Sequence, residues 1–169
     1  MQYKTEPPKQ PNIILPPGDY IYCVREFECG LSSGGKTNGS DKFDMQLEIE
    51  GKPGSIVRES MIDHESCGWK INNFLLCSGV KLAEGEEFEF RKDTAESTGA
   101  TWVNPIGLRG WCSLIVETYL KKNDVAGKPT GKSNKVVVFY PDRPKLLPNE
   151  ALRAEVAAKE AQSEEGRPF

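Results

Sequence analysis

From residue 107 to 121 the chain reads GLRGWCSLIVETYLK, and taking alternate positions separates two kinds of chemistry. Leu108, Gly110, Cys112, Leu114, Val116, Thr118 and Leu120 make a nearly apolar face, the pattern of a strand laid on a core. Arg109, Trp111, Ser113, Ile115, Glu117, Tyr119 and Lys121 make the opposite face. Rings set among cations offer stacking on flat unsaturated groups together with pairing to anions.

The other chemically capable residues are poorer in partners. His64 is the only histidine, flanked by Asp63 and Glu65, with Cys67 completing an H-x-x-C. A zinc site takes three or four ligands, so no metal is expected there. The triplet Gly35-Lys36-Thr37 is read as part of a flexible loop. Phosphate-loop, hydrolase-elbow and zincin chemistry are not expected, nor are an enzyme activity or a cofactor.

The elements that must position the 107–121 face follow from the rest of the chain. Its 169 residues, 37% of them hydrophobic, suit one domain. The net charge of −3 is near balance but unevenly spread. Between Gly107 and Tyr140 six basic residues meet only Glu117 and Asp124, whereas residues 84 to 96 hold six acids and two bases. Five cysteines (Cys23, Cys29, Cys67, Cys77, Cys112) form an odd set without a C-x-x-C pair, and the start is polar, which points to a reducing compartment. Cys23, Cys77 and Cys112 lie in apolar runs and are expected to act as small buried hydrophobes. No run reaches the roughly 18 apolar residues of a membrane span.

The first seventeen residues carry five prolines and read as a flexible arm, residues 1–12, meeting the domain near Ile13 to Leu15. A strand is expected over Tyr20 to Glu28, a glycine and serine loop over 30–40, and a second strand in KFDMQLEIE, where Phe43, Met45, Leu47 and Ile49 alternate with polar residues. GKPG turns the chain into a third strand, SIVRESMI. HESCGWKINNFLLCSG predicts a helix capped by Ser66 and stopped by Gly79, while residues 80–106 favour no element. After the 107–121 strand and a lysine-rich loop, KVVVFY forms a last strand, and NEALRAEVAAKEAQ a helix of about three turns capped by Asn149.

Three strands, a helix and two strands is the order of an OB-fold, a five-stranded Greek-key barrel, expected over 13–144 with a helix and acidic tail at 145–169. The ligand face of that fold uses strands 2 and 3 and the loops between strands 1 and 2 and strands 4 and 5. This directs attention to Lys36 and Arg58, and to Lys121, Lys122, Lys132 and Lys135 near Arg109, Trp111 and Tyr119. Tyr22 and Phe27 on the first strand extend the expected ring platform. A positive groove with stacking rings is how single-stranded nucleic acid is held without strong sequence preference.

The LPPGDY opening, the glycine loop, FDMQLEIEG, WKINNFLLCSG and GLRGWCSLIVETY followed by KVVVFY resemble, over roughly residues 13–142, a family of phage early proteins of the OB-fold single-stranded DNA-binding type. The resemblance implies a non-enzymatic DNA-coating role in phage replication or recombination, in the host cytoplasm. The end SEEGRPF is similar to the acidic, aromatic-tipped tails of many such binders, which implies that Glu164, Glu165 and Phe169 dock replication or recombination proteins. The alternative is a protein-binding adaptor or inhibitor that uses the acidic stretches at 41–66 and 84–96.

Overall fold

The computed structural model describes residues 2, 13–81, 83, 85–91 and 101–165, the side chains of residues 101 and 160–165 excepted. The expected arm at residues 1–12, Gln2 apart, and the tail residue Phe169 lie outside the described residues. Glu164 and Glu165 fall in the last turn of a helix, without described side chains.

The strands are β1 (Gly18–Leu31), β2 (Asp41–Ile49), β3 (Ile56–Ile62), the short β4 (Phe88–Phe90) and β5 (Thr101–Val103), β6 (Arg109–Tyr119) and β7 (Gly131–Phe139). Helix α1 (Trp69–Cys77) follows β3, and α2 (Glu150–Glu165) follows β7. The protein is mostly β with two helices. Its five long strands form one antiparallel sheet in the order β3-β2-β1-β6-β7.

Alternation sets the register. Phe43, Met45, Leu47 and Ile49 of β2 stand opposite Cys29, Phe27, Val24 and Tyr22 of β1, so the apolar sides of both strands meet. A bulge between Val24 and Glu26 adds one residue, which is why Phe27 joins the same side as Tyr22 and Val24. Leu108, Gly110, Cys112 and Leu114 are buried as the alternation predicts, and Val136 and Phe139 of β7 lie among them. Helix α1 closes this side with Ile71, Phe74, Leu75 and Cys77. The rings of Tyr22, Phe74 and Phe139 pack with centroids 5.3–6.0 Å apart. Cys23, Cys77 and Cys112 are buried, and burial pushes the Cys112 thiol up to about 12, so it stays neutral.

The closed barrel expected from the order of elements is not present: no ladder joins β3 to β7 among the described residues. Two other contacts hold these edges. Asn134 of β7 accepts the Leu15 N–H at 2.9 Å and donates to the Leu15 carbonyl at 2.8 Å and the Ile115 carbonyl at 3.2 Å. The extended segment Ile13–Leu15 thus acts as a strap, and its other end is fixed in the turn before β3 by Ile13 N–H to the Gly54 carbonyl and by the Ser55 hydroxyl to the Ile13 carbonyl. Farther along, Glu59 occupies an inward position of β3 between Val57 and Met61, where its carboxylate pairs with Lys70 of α1 and accepts the Val136 N–H. Lys70 also reaches the Val136 carbonyl at 3.5 Å. A charged side chain and its partner thus stand where a closed barrel would have a hydrogen-bond ladder.

Three local expectations shift. Helix α1 begins at Trp69 rather than after Ser66, because residues 64–68 turn through bonds to the His64 carbonyl and Ser66 pairs with the His64 ring at 2.8 Å. Residues 80–106 contain β4 and β5, a parallel pair whose Phe90 and Val103 are buried, with Phe90 edge-on to Phe43 at 4.6 Å. Helix α2 runs 16 residues, longer than three turns, and Asn149 caps it through the Leu152 N–H at 3.1 Å.

Candidate nucleic-acid interface

The outer side of β6 carries the rings and cations singled out in the sequence, and the structure divides them into three groups. At the start of the strand, Arg109 points across Cys23 of β1 and makes a two-pronged pair with Glu50, Nη2 to Oε2 at 2.7 Å, while Nη1 donates to the Leu147 carbonyl at 3.2 Å. The Glu50 carboxylate holds its guanidinium above the ordinary arginine value. Arg109 therefore fastens the segment before α2 to the sheet and is not a free cation for a ligand. That is a correction to its expected role, caused by an acid directly after the end of β2 that the strand pattern did not pair with it.

Trp111, two residues on, is half-buried and faces Ile21 of β1. Its ring lies under the Arg143 guanidinium, 5.3 Å from Cζ to the ring centre. Arg143 also sits 4.7 Å from the Tyr140 ring and bonds Asp19 at 2.8 Å. Sequence reasoning missed Arg143, Tyr140 and Asp19. The signal it had was only the Tyr140-Pro141 end of the last strand, since nothing local to Arg143 says that the chain folds back over β6.

The third group is the β6–β7 ribbon. β1 pairs with β6 only as far as Leu114, opposite Gly18, so beyond it β6 and the start of β7 are each other's only strand partners among the described residues. Thr118 and Lys132 lie on the core-facing side yet are exposed, so the ribbon projects past the core. Tyr119 is 49% exposed and lies against Gly131 of β7. Leu120 and Val125 are exposed as well. Lys121, Lys122, Lys128 and Lys132 make no ion pair among the described residues. The one acid of the loop is otherwise engaged: Asp124 accepts the Thr130 hydroxyl at 2.7 Å and the backbone N–H groups of Lys121 and Thr130. These bonds, the Thr130 hydroxyl first, hold its carboxyl below the ordinary aspartate value. Lys135 shares the outer side with Ile115 and meets Glu117 at 3.4 Å, an exposed and weak pair.

The remaining expected residues are elsewhere. Tyr22 and Phe27 are 0% and 4% exposed, core residues on the inner side of β1, and cannot offer a ring to a ligand as placed. The Tyr22 hydroxyl is spent on Ser78 at 2.5 Å and on the Cys77 sulfur. Lys36 leaves from the carboxyl end of β1 and the ribbon from beyond its amino end, so the two loops stand at opposite ends of a 14-residue strand. Arg58 lies on the outer side of β3 opposite Gln46, in a groove lined also by Glu26, Glu28 and Asp44. The groove is acidic through Glu26 and Glu28 of β1 and Asp44 of β2, whereas the outer sides of β2 and β3 by themselves are balanced, Lys42 and Arg58 against Asp44 and Glu48.

Residues 30–37 satisfy two catalytic spacings that the reading of this stretch as a loop passed over. Gly30 to Thr37 fits G-x-x-x-x-G-K-T, and Gly30 to Gly34 fits G-x-S-x-G. Both need a strand that runs through the motif into a helix. Here the stretch tips the β1–β2 hairpin with a single turn of helix, Gly35–Thr37, and Ser32 bonds Thr37 at 2.9 Å. The context of either motif is missing. Among the described residues no group of three metal-ligating side chains occurs, and no helix is long and apolar enough to cross a membrane. Neither a family model nor a curated protein matches the chain.

Proposed function

We propose that the protein is a sequence-tolerant single-stranded DNA-binding protein of the phage type, built on a partly open OB barrel and acting in DNA replication or recombination in the host cytoplasm. The observation that carries this reading is the ribbon, which joins the exposed Tyr119 to four lysines, Lys121, Lys122, Lys128 and Lys132, that make no ion pair among the described residues. Flexible polyanions are held by such an alternation of cation and ring. The OB assignment is supported by strand order: β1 is shared by β2 and β6, the outer strands β3 and β7 approach each other, and a helix follows the third strand. The acidic groove of Glu26, Glu28 and Asp44 argues that the DNA follows β6 and β7 instead.

Fluorescence anisotropy of labelled oligo-dT across a salt series tests the reading. Binding is expected to weaken with salt, at about 0.7 in log–log slope per phosphate contact. Replacing Lys121, Lys122, Lys128 and Lys132 by Gln is expected to remove most of that slope. No binding at low salt overturns the proposal, and duplex DNA and RNA in the same buffer define the preferred strand. The groove of Glu26, Glu28 and Asp44 favours a second reading, an adaptor for a basic protein, with the α2 tail as a further docking element. A partner whose capture survives nuclease and excess single-stranded DNA would support that second reading.

A further inference from the structure

The cluster over Trp111 is built in a way that a packed surface does not require. Asp19 stands opposite Ser113, on the same outer side as Trp111 and Tyr119. One of its oxygens accepts the Tyr140 hydroxyl at 2.9 Å, the other takes Arg143 at 2.8 Å, and the guanidinium so held covers the tryptophan face. Arg143 and Asp19 keep 41% and 39% of their side-chain surface exposed. An ion pair so open to water is weak and exchanges readily. A phosphate offers arginine the same two-pronged geometry. Once the guanidinium turns to a phosphate, a flat apolar ring is uncovered beside it.

The cluster also lies in line with the ribbon. Eight residues of β6 separate Trp111 from Tyr119 on one side of the strand, roughly 26 Å at 3.2–3.4 Å per residue. A single strand running along β6 would meet the lysines at one end and the tryptophan at the other.

Resting on the single-strand reading above, we infer that Trp111, Tyr140 and Arg143 form a base-stacking station that is shut in the free protein by the Arg143–Asp19 pair and opens when a DNA phosphate replaces Asp19 on the guanidinium. The station has two separable parts, a ring for the base and an exchange of anions on Arg143.

The experiment compares anisotropy titrations of oligo-dT and of an abasic phosphodiester chain of equal length. If the wild type binds neither chain, the single-strand reading fails and the station with it. If it binds both, the station is tested alone. Trp111→Leu keeps apolar packing against Ile21 and is expected to weaken oligo-dT about tenfold while leaving the abasic chain unchanged. Asp19→Asn keeps an acceptor for Tyr140 but releases Arg143, and is expected to strengthen oligo-dT several-fold more than the abasic chain. In the double variant the Asp19→Asn gain is expected to differ less between the two chains, since only the Tyr140 ring remains to be uncovered. Equal loss on both chains for Trp111→Leu, or equal gain on both for Asp19→Asn in the Trp111-containing protein, overturns the inference. Asp19→Asn alone decides should Trp111→Leu fail to fold.

Discussion

Gly110 and Gly131 face different neighbours from β6 and β7, and each is kept small by what lies against it. A Cβ on Gly110 would stand 2.7 Å from both the Cys77 sulfur and the Tyr22 hydroxyl, two groups fixed by bonds to the Trp111 carbonyl and to Ser78. Neither can give way cheaply. Gly110→Ala is expected to lower the stability by about 2 kcal/mol, the usual cost of overpacking a filled core, measured by urea unfolding. A Cβ on Gly131 would stand 2.4 Å from the Tyr119 ring, which projects into solvent and is free to swing away. Gly131→Ala is therefore expected to cost less stability but to move the ring off the ribbon, so that affinity for oligo-dT falls. A reversed ranking, with Gly131→Ala the more destabilising, would place Tyr119 in a structural role. At this scale the sequence was only partly legible. Alternation put Gly110 on the core side but held nothing about the helix that presses on it. In YIYCVREFE both sides of the strand are apolar as far as Val24, so parity alone did not reveal that Tyr22 and, across the bulge, Phe27 point inward.

Elements were more legible than residues wherever one period ran long enough. The strands β2 and β6 declare themselves by strict alternation, and the Asn149 cap and Gly79 stop carry the ends of helices in their residue types. β4 and β5 did not declare themselves. Each is three residues long, too short for a period, and the pair is placed by burial of Phe90 and Val103, with Phe90 set edge-on between Phe43 and Phe88, rather than by its own pattern. The strap at Ile13–Leu15 is of the same kind, an extended segment fixed from outside. Its anchor is Asn134, 8% exposed, whose amide completes both backbone groups of Leu15. Asn134→Ala leaves a buried N–H and a buried carbonyl unpaired and is expected to cost about 3 kcal/mol. Asn134→Asp retains the acceptor and loses the donor, so its cost lies between. Equal stability of all three proteins, measured by thermal unfolding, would show that the strap bears no load.

The order of elements pointed to a closed barrel; the molecule instead leaves one seam without a ladder and bridges it with a strap at one point and an ion pair at another. The seam has its own pH response. Burial pushes the Glu59 carboxyl above its ordinary 4.5, against the pull of Lys70, so the folded chain binds that proton more tightly than the unfolded chain. The Glu59 contribution is therefore fully present below pH 4.5 and is lost as pH rises through the raised value. Glu59→Gln abolishes this titration. It also leaves Lys70, 18% exposed, without its partner, which costs about 2 kcal/mol at neutral pH, below the figure for a fully buried pair because water still reaches the amine. Replacing both groups by apolar ones of similar size, Glu59→Leu with Lys70→Met, is expected to restore most of the loss, since neither charge is then stranded. Urea midpoints from pH 7 down to pH 4.5 provide the check. The advantage of the wild type over Glu59→Gln is expected to grow as the solution is acidified. An advantage that shrinks instead would mean that the attraction of Lys70 outweighs burial and that Glu59 titrates below the ordinary carboxylate range. The seam would then be held by charge, and high salt would weaken it as acid does.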